Sequence, residues 1–341
     1  QKTAYEIGVR LVGSEMCIRD RCIYGNENSM ATIILQPGKE RPVYLRHPWI
    51  FSGAIAHVQG AAAPGSIVNV QSSRGEWLAY GTWSGHSQIR VRLFSWDRDQ
   101  LLDQELFIQR LERAIVARQM LGLPGTSTAY RLVYAESDGL PGLIVDRYGD
   151  FLAVQLLTQG IVAHQHIIVQ ALVKLLQPQG IYERSDTEAR EKEGLPSGEG
   201  LLWGAEPPEH MTVRQSGELL SLVDLRAGQK TGAYLDQAYN RLRVAAYCAG
   251  REVLDAFCYT GGFSIAAGHA NAPINQYFSN SADGISDKSF VSPDRITLQL
   301  RRFNLGTKAR DPGSADIRSV TWFALKVPSA LSANLHIEDR G

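Results

Sequence analysis

Two short segments concentrate residue types that can hold a polar ligand. In Arg251–Ala267 (REVLDAFCYTGGFSIAA), Val253, Leu254, Ala256 and Phe257 read as a short buried strand with Asp255 near its carboxyl end. Gly261 and Gly262 read as a turn, and Phe263–Ala267 as the opening of a helix. Ligands of open α/β folds bind at the carboxyl ends of the strands. Glycines there let the backbone approach a ligand, and the following helix start presents N–H groups to it. The pattern is not G-x-G-x-x-G and has no Walker lysine, which weakens dinucleotide and nucleoside triphosphate readings. The second segment, Ala227–Arg241 (AGQKTGAYLDQAYNR), precedes the strand by about one helix and can fold back over the same crevice. Gln229, Lys230 and Thr231 offer donors and acceptors between glycines, and Tyr234 offers a ring. Such a loop suits a ligand with an amino-acid end and an adenine. The competing reading is a helix-entry loop with Asp236 as its N-cap.

Cysteine is the side chain best able to act as a nucleophile near neutral pH, when its pKa is depressed. After Met30 the cysteines are Cys248 and Cys258. Cys248 ends a predicted helix and reads as a packed thiol; Cys258, inside the glycine turn, reads as a small buried residue. No catalytic residue and no metal ligand set is assigned on this basis.

Nucleic-acid contact is the expectation for the amino-terminal third. From Ala31 to Trp96 the chain reads as short strands (ATIIL, WIFSGAIAHV, SIVNV, WLAYGTW, QIRVRLF) separated by Gly, Pro or Ser. Ile89–Phe94 alternates, with Arg90 and Arg92 on one face and Ile89, Val91 and Leu93 on the other, as in a half-buried strand of a small barrel. Four of the six tryptophans, Trp49, Trp77, Trp83 and Trp96, lie here, and residues 31–100 carry seven Lys/Arg against four Asp/Glu. Aromatics beside arginines suit irregular or single-stranded RNA. The alternative, preferred for most of the tryptophans, is that they fill the barrel core.

Between these parts, Leu101–Leu121 reads as a helix stopped by Gly122 and Pro124. Leu132–Leu157 reads as strand, turn, strand, turn, strand, Ile167–Leu176 as a helix, and GIYERSD as a strand. Thr187–Gly200 reads as a solvated loop, with Glu188, Glu191 and Glu193 lacking the apolar surroundings that general acid–base duty needs. Leu219–Leu225 reads as a strand. Leu235, Tyr239, Leu242, Ala246 and Ala249 mark the apolar face of a helix over about 235–249, with Gly250 at its C′ position.

The chain has 341 residues, no formal net charge, 44% hydrophobic and 21% charged content, values that exclude wholesale disorder and fibrous repeats. Neutral charge argues against a nonspecific polycation. Four cysteines are too few for a secreted disulfide scaffold, so a cytoplasmic location is expected. No apolar run reaches the roughly 20 residues of a membrane span. Residues 1–29 lack a signal-peptide h-region, and Ala4–Arg21 resembles translated sequencing-adapter DNA; they read as a leader outside the fold, with Met30 as the better start.

Five motifs in order, RHPWIFSGAI (46–55), ESDGLPGLIVDRYG (136–149), IYERSD (181–186), GQKTGAYLDQAYNR (228–241) and LDAFCYTGGFSIAA (254–267), resemble the bacterial class I S-adenosylmethionine-dependent ribosomal-RNA methyltransferases with an N-terminal PUA domain. The resemblance implies an α/β protein in three parts. These are a small PUA β-barrel for RNA over 31–99, a linker helix and central α/β domain over 100–226, and the start of a Rossmann-like domain over 227–270. It implies S-adenosyl-L-methionine at Lys230, Thr231, Tyr234, Asp255, Thr260, Gly261 and Gly262, RNA at Arg46, Trp49, Arg90 and Arg92, ribosomal RNA as partner, and room for a homodimer. The best-characterised member makes 5-methylcytosine in large-subunit RNA, which the resemblance makes the expected product here. Methylating carbon 5 requires a thiolate to add to carbon 6, and then a base to take the carbon 5 proton. After Ala270 the resemblance stops: residues 271–341 lack the second strand ending in an acidic residue, the D-P-P-K loop and the cysteine-bearing motif. The expectation is therefore a chain of little or no activity, with 271–341 read as a reading-frame error, a chimera or a divergent exon. The alternatives are a non-catalytic RNA-binding protein, or a methyltransferase acting on another nucleic-acid position or a small molecule.

Overall fold

The computed structural model describes residues 30–217, 219–251, 253–256, 258–270, 274–277, 302–303 and 320–321. Residues 1–29 and most of 271–341 lie outside them. Two compact units result, one of residues 1–122 with 131–207 and one of 123–130 with 208–341.

The first unit starts with six strands: β1 (Thr32–Leu35), β2 (Trp49–Phe51), β3 (Ile55–Gln59), β4 (Ile67–Gln71), β5 (Trp77–Trp83) and β6 (Ile89–Ser95). They form one curled sheet in the order β2-β6-β5-β4-β1-β3. The run WIFSGAIAHV is not one strand. A 3₁₀ turn at Ser52–Ala54 breaks it, so its halves lie at opposite edges of the sheet. Alternation places Ile33, Leu35, Val68, Val70, Ala79, Val91 and Leu93 in the core. The core is thus aliphatic. The tryptophans are half-buried around it, with Trp83 and Trp96 packed on its margin and Trp96 Nε1 donating to the Val43 carbonyl at 2.9 Å.

Helix α1 (Gln104–Met120) is capped by Asp103, whose side chain accepts from the Leu106 N–H, and buries Leu106, Phe107, Leu111 and Ala114. A five-stranded sheet follows: β7 (Ala129–Tyr134), β8 (Leu143–Tyr148), β9 (Phe151–Leu156), β10 (Gly180–Ser185) and β11 (Gly198–Gly204), in the order β11-β10-β9-β8-β7. β9 and β10 run parallel, joined by the short helix Gln159–Ala163 and helix α2 (Gln165–Leu176). β11 was not expected: its first residues fall in the Thr187–Gly200 stretch that reads as loop.

Within this unit the barrel and the central sheet are sealed together. Arg110 of α1 donates to the carbonyls of Phe94 and Gly139. Phe94 meets Phe107 at 6.0 Å, and Phe107 meets His164 at 5.3 Å. The loop expected to be solvated takes part. Residues Glu188–Lys192 form a helical turn, Arg190 is buried on Glu183, and Glu193 is only 1% exposed. Glu193 accepts from Arg92 at 2.7 Å, and its carbonyl accepts from Gln159 Nε2 at 2.8 Å. The error had a physical source: Glu193 gains its burial from a partner 101 residues away, which local composition does not report.

His164 is buried in this seam, with Nδ1 2.7 Å from the Gly160 carbonyl and Nε2 without a partner among the described residues. Burial pushes its pKa below the usual 6.5, against the pull of that carbonyl. The unfolded chain takes up this proton below about pH 6.5 while the folded chain resists it, so stability falls with pH below that value. His164→Gln is expected to flatten this fall. Melting curves from pH 7.5 to 5.5 check it, and equal slopes for the two proteins would count against the burial argument.

The second unit contains an antiparallel hairpin, β12 (Met211–Ser216) and β13 (Leu219–Val223), then helix α3 (Ala238–Cys248), β14 (Val253–Ala256), helix α4 (Gly262–His269) and β15 (Ile274–Tyr277). β14 and β15 pair in parallel, register Val253↔Ile274 to Ala256↔Tyr277. The second strand of the Rossmann-like sheet is therefore present at Ile274–Tyr277, where the polar sequence had suggested turns. Farther along, Arg302–Phe303 and Val320–Thr321 pair antiparallel. Helix α3 turns its expected apolar face outward. Tyr239, Leu242, Val244 and Tyr247 are exposed, whereas Arg241 and Cys248 are buried. Gly250 follows the helix with φ +69°, as the C′ position requires.

Candidate cofactor site

The β14–α4 connection is built around Asp255. Its Oδ2 accepts both the Ser264 N–H at 3.0 Å and the Ser264 Oγ–H at 2.6 Å, and Ser264 is fully buried. The carboxylate thus caps the third residue of α4 from the preceding strand and favours the helix dipole. The connecting turn holds Tyr259 at φ +50° and Gly261 at φ +71°. Only glycine takes the left-handed region without steric cost, which accounts for Gly261.

Gly262 has a different reason. A Cβ built there would lie 2.6 Å from Arg241 Nε and 2.8 Å from Cζ. The guanidinium packs against the turn from beneath, donates to Gln215 and stands 5.9 Å from the Phe263 ring. Its pKa is lowered by burial, opposed by Asp236 and Asp255. Gly262 reads from sequence as a place for close approach of a ligand; in the structure a Cβ there would meet Arg241, whose Nε lacks a partner among the described residues. Arg241 and Ser264 were not singled out from sequence. The spacing of Asp255 and Ser264 across a glycine turn was the signal that could have found the cap.

The Gly228–Gly232 loop lies against this turn. The Gln229 N–H donates to Tyr259 Oη at 3.1 Å, and the Tyr234 and Tyr259 rings meet edge-to-face at 5.8 Å and 82°. Tyr234 Oη donates to Gln229 Oε1. Lys230, itself at φ +56°, sets its ammonium 4.4 Å from the Tyr234 ring centroid and 3.2 Å from Asp236 Oδ1. Asp236 is therefore not the N-cap of α3; the helix N-cap is Gln237, without a side-chain bond. Burial raises the Asp236 pKa, but the bond and charge of Lys230 outweigh this and hold it below its ordinary value. Thr231 is fully buried, and Thr260 is half-buried in the turn. Lys230 and Tyr234 thus stand beside the Tyr259–Gly262 turn, joined to it through the Gln229 bond and the Tyr234–Tyr259 ring contact. These groups fit a ligand combining a carboxylate, a cationic centre and a flat base.

Cys258 is buried beside Asp255, and burial, then that negative charge, push its thiol up to about 12. Such a thiol is protonated at neutral pH and a poor nucleophile. Cys258 is expected to resist iodoacetamide at pH 8 in the native protein and to react on denaturation. Rapid native labelling at this residue, read by mass spectrometry, would contradict its burial. Cys248 Sγ lies 3.1 Å from the Val244 carbonyl and packs with Ala267 and Val253, a structural thiol.

In the first unit, Arg46 is exposed at φ +61° with its guanidinium 5.4 Å from the Trp96 ring. Trp49 stands half-buried between His47 and Phe51, its Nε1 donating to Glu136 at 2.8 Å. Arg90 donates to the Gly85 carbonyl, and Arg92 is held by Glu193.

A PUA-like domain family matches residues 33–96, and an S-adenosylmethionine-dependent methyltransferase family matches residues 196–282, past Ala270 and across β15. The chain is 45% identical over 254 residues to ribosomal RNA large subunit methyltransferase I of Aeromonas hydrophila, covering 74% of this chain and 64% of that protein. It is 44% identical to the same enzyme of Tolumonas auensis, covering 80% of this chain and 69% of that protein. The chain belongs to the ribosomal RNA large subunit methyltransferase I family. It spans about two thirds of the length of these relatives. The family relationship accounts for the order of parts, a PUA-like sheet first and the S-adenosylmethionine-dependent domain last. A Streptococcus mutans protein assigned as an S-adenosylmethionine-dependent methyltransferase shares the fold, with a TM-score of 0.63 over 74% of this chain and 65% of that one, at 23% identity. A second solved methyltransferase, complexed with S-adenosylhomocysteine, gives 0.64 over 74% and 64%. Among the described residues no helix is long and apolar enough to cross a membrane.

Proposed function

We propose that the second unit binds S-adenosyl-L-methionine beside the Tyr259–Gly262 turn, in a protein that methylates large-subunit ribosomal RNA, at carbon 5 of cytosine. The observation that carries this reading is the contact of the two motif segments through Gln229, Tyr234 and Tyr259. Lys230 and the start of α4 supply positive potential for the carboxylate of the cofactor; Tyr234 supplies an aromatic face, and Thr231, Thr260 and Gly261 shape the wall. Asp255 acts through Ser264, holding the helix start in place. The bound cofactor supplies an electrophilic methyl group.

The barrel over 31–99 is the RNA-facing part in this reading. Arg46 and Trp49 offer a cation and a ring, while Arg90 and Arg92 have internal partners. The central part, expected over 100–226, carries the barrel; the second unit takes in the β12–β13 hairpin, so the cofactor domain begins ahead of residue 227. The high pKa of Cys258 and the packing of Cys248 leave no activated thiolate among the described residues. Methyl transfer to cytosine by this polypeptide is therefore expected to be slow or absent, while cofactor binding persists.

Isothermal titration with S-adenosylhomocysteine tests the cofactor reading, with saturable one-to-one binding expected. Heat indistinguishable from dilution would leave the second reading, a non-catalytic RNA-binding protein. RNA affinity that falls as salt rises from 50 to 200 mM is expected in either case and argues against a small-molecule substrate.

A further inference from the structure

The glycine turn and the Gly228–Gly232 loop are separate in sequence, and one side chain joins them. Tyr259 stands in left-handed backbone, φ +50°, a conformation that disfavours a bulky residue and that clusters at functional sites. A glycine there would be cheaper, so the tyrosine side chain must offset the cost. Its hydroxyl accepts the Gln229 N–H at 3.1 Å, and its ring meets Tyr234 edge-to-face. Tyr234 in turn donates to the Gln229 side chain. Gln229, Tyr234 and Tyr259 therefore close a triangle, and Lys230, also left-handed at φ +56°, is held at its edge over the Tyr234 ring. Through these contacts the loop rests against the turn.

We propose that Tyr259 is a positioning residue, a clasp that pre-organises Lys230 and Tyr234 for the cofactor. This rests on the cofactor reading above. The clasp acts on affinity, because a loop ordered in advance gives up less conformational freedom on binding. It acts through Gln229 and Tyr234 and need not touch the ligand.

The test uses the full chain as wild type, Tyr259→Phe and Tyr259→Gly, with S-adenosylhomocysteine as the calorimetric probe and trypsin as a local one. Tyr259→Phe keeps the ring and loses the bond to Gln229; binding is expected to weaken about 3- to 10-fold, the worth of one such hydrogen bond. Tyr259→Gly removes the side chain but suits the backbone; the melting temperature is expected to hold or rise while binding weakens at least about 10-fold. Tryptic cleavage after Lys230 is expected to quicken severalfold in both variants and to slow again on saturation with the probe. Unchanged cleavage and affinity in both variants would overturn the clasp. So would a loss of affinity that only tracks a fall in melting temperature, since that is a general structural role. Wild type that binds no probe, yet shows the cleavage difference, would reject the cofactor reading and leave the clasp standing as a loop restraint.

Discussion

Arg92→Ala is expected to unfold the first unit early, with a loss of roughly 3–5 kcal/mol, because removing one partner strands the other as an uncompensated buried charge. Glu193 is the partner stranded, its side chain 2% exposed against 12% for Arg92. In a unit of this size that loss lowers the melting temperature on the order of 10 °C. Arg92 lies on the polar face of β6 and was expected to meet RNA, so the same substitution separates two roles. If Arg92 met a phosphate, the folded variant would bind RNA with a salt slope smaller by about one. Pairing with Glu193 predicts an unchanged slope and a lowered melting temperature. Replacing both residues with apolar ones of similar volume is expected to recover much of the loss, since a buried ion pair repays little beyond its own desolvation.

Asp255→Ala is expected to abolish useful cofactor affinity, with a fall of at least about 30-fold. The alanine leaves the buried Ser264 N–H and hydroxyl without their common acceptor. Each buried donor left unpaired costs about 1–3 kcal/mol, and an N-cap carboxylate is worth about 1 kcal/mol in its own right. The turn from Tyr259 to Gly262 hangs on that helix start, so the damage falls on the binding surface. Asp255→Asn separates the mechanisms. Its amide oxygen can still accept from Ser264, so capping predicts affinity within about threefold of wild type. A carboxylate that contacted the cofactor directly would make the asparagine as poor as the alanine. Calorimetry on the three proteins, with a melting curve for each, decides between them.

The parts of the fold that periodicity governs were legible. The alternation in Ile89–Phe94 gave β6, the helix over Leu101–Leu121 stopped by Gly122 gave α1, and the run from Val253 gave β14. The failures share a cause. Glu193 looks solvated, Arg241 looks exposed and Tyr239 looks buried when each is judged by its own neighbours. In the fold, Glu193 answers Arg92, Arg241 fills the space below Gly262, and the apolar stripe of α3 faces outward. Ile274–Tyr277 escaped notice because INQY is short and polar for a strand, and its pairing with β14 is set by the crossover rather than by its composition. At the site, residue types and order identified the two segments, and their contact follows from Tyr259, which no spacing rule picks out.

The seam between the six-stranded sheet and the five-stranded one bears on how this family can be taken apart. Arg110 ties a carbonyl at the end of β6 to one beyond β7, and Arg92 and Trp49 each send a bond across to Glu193 and Glu136. A surgeon cutting near residue 100 would leave raw apolar tissue at Phe94 on one side and a stranded carboxylate on the other. Moving the amino-terminal module onto a foreign catalytic body would therefore require carrying its host sheet along.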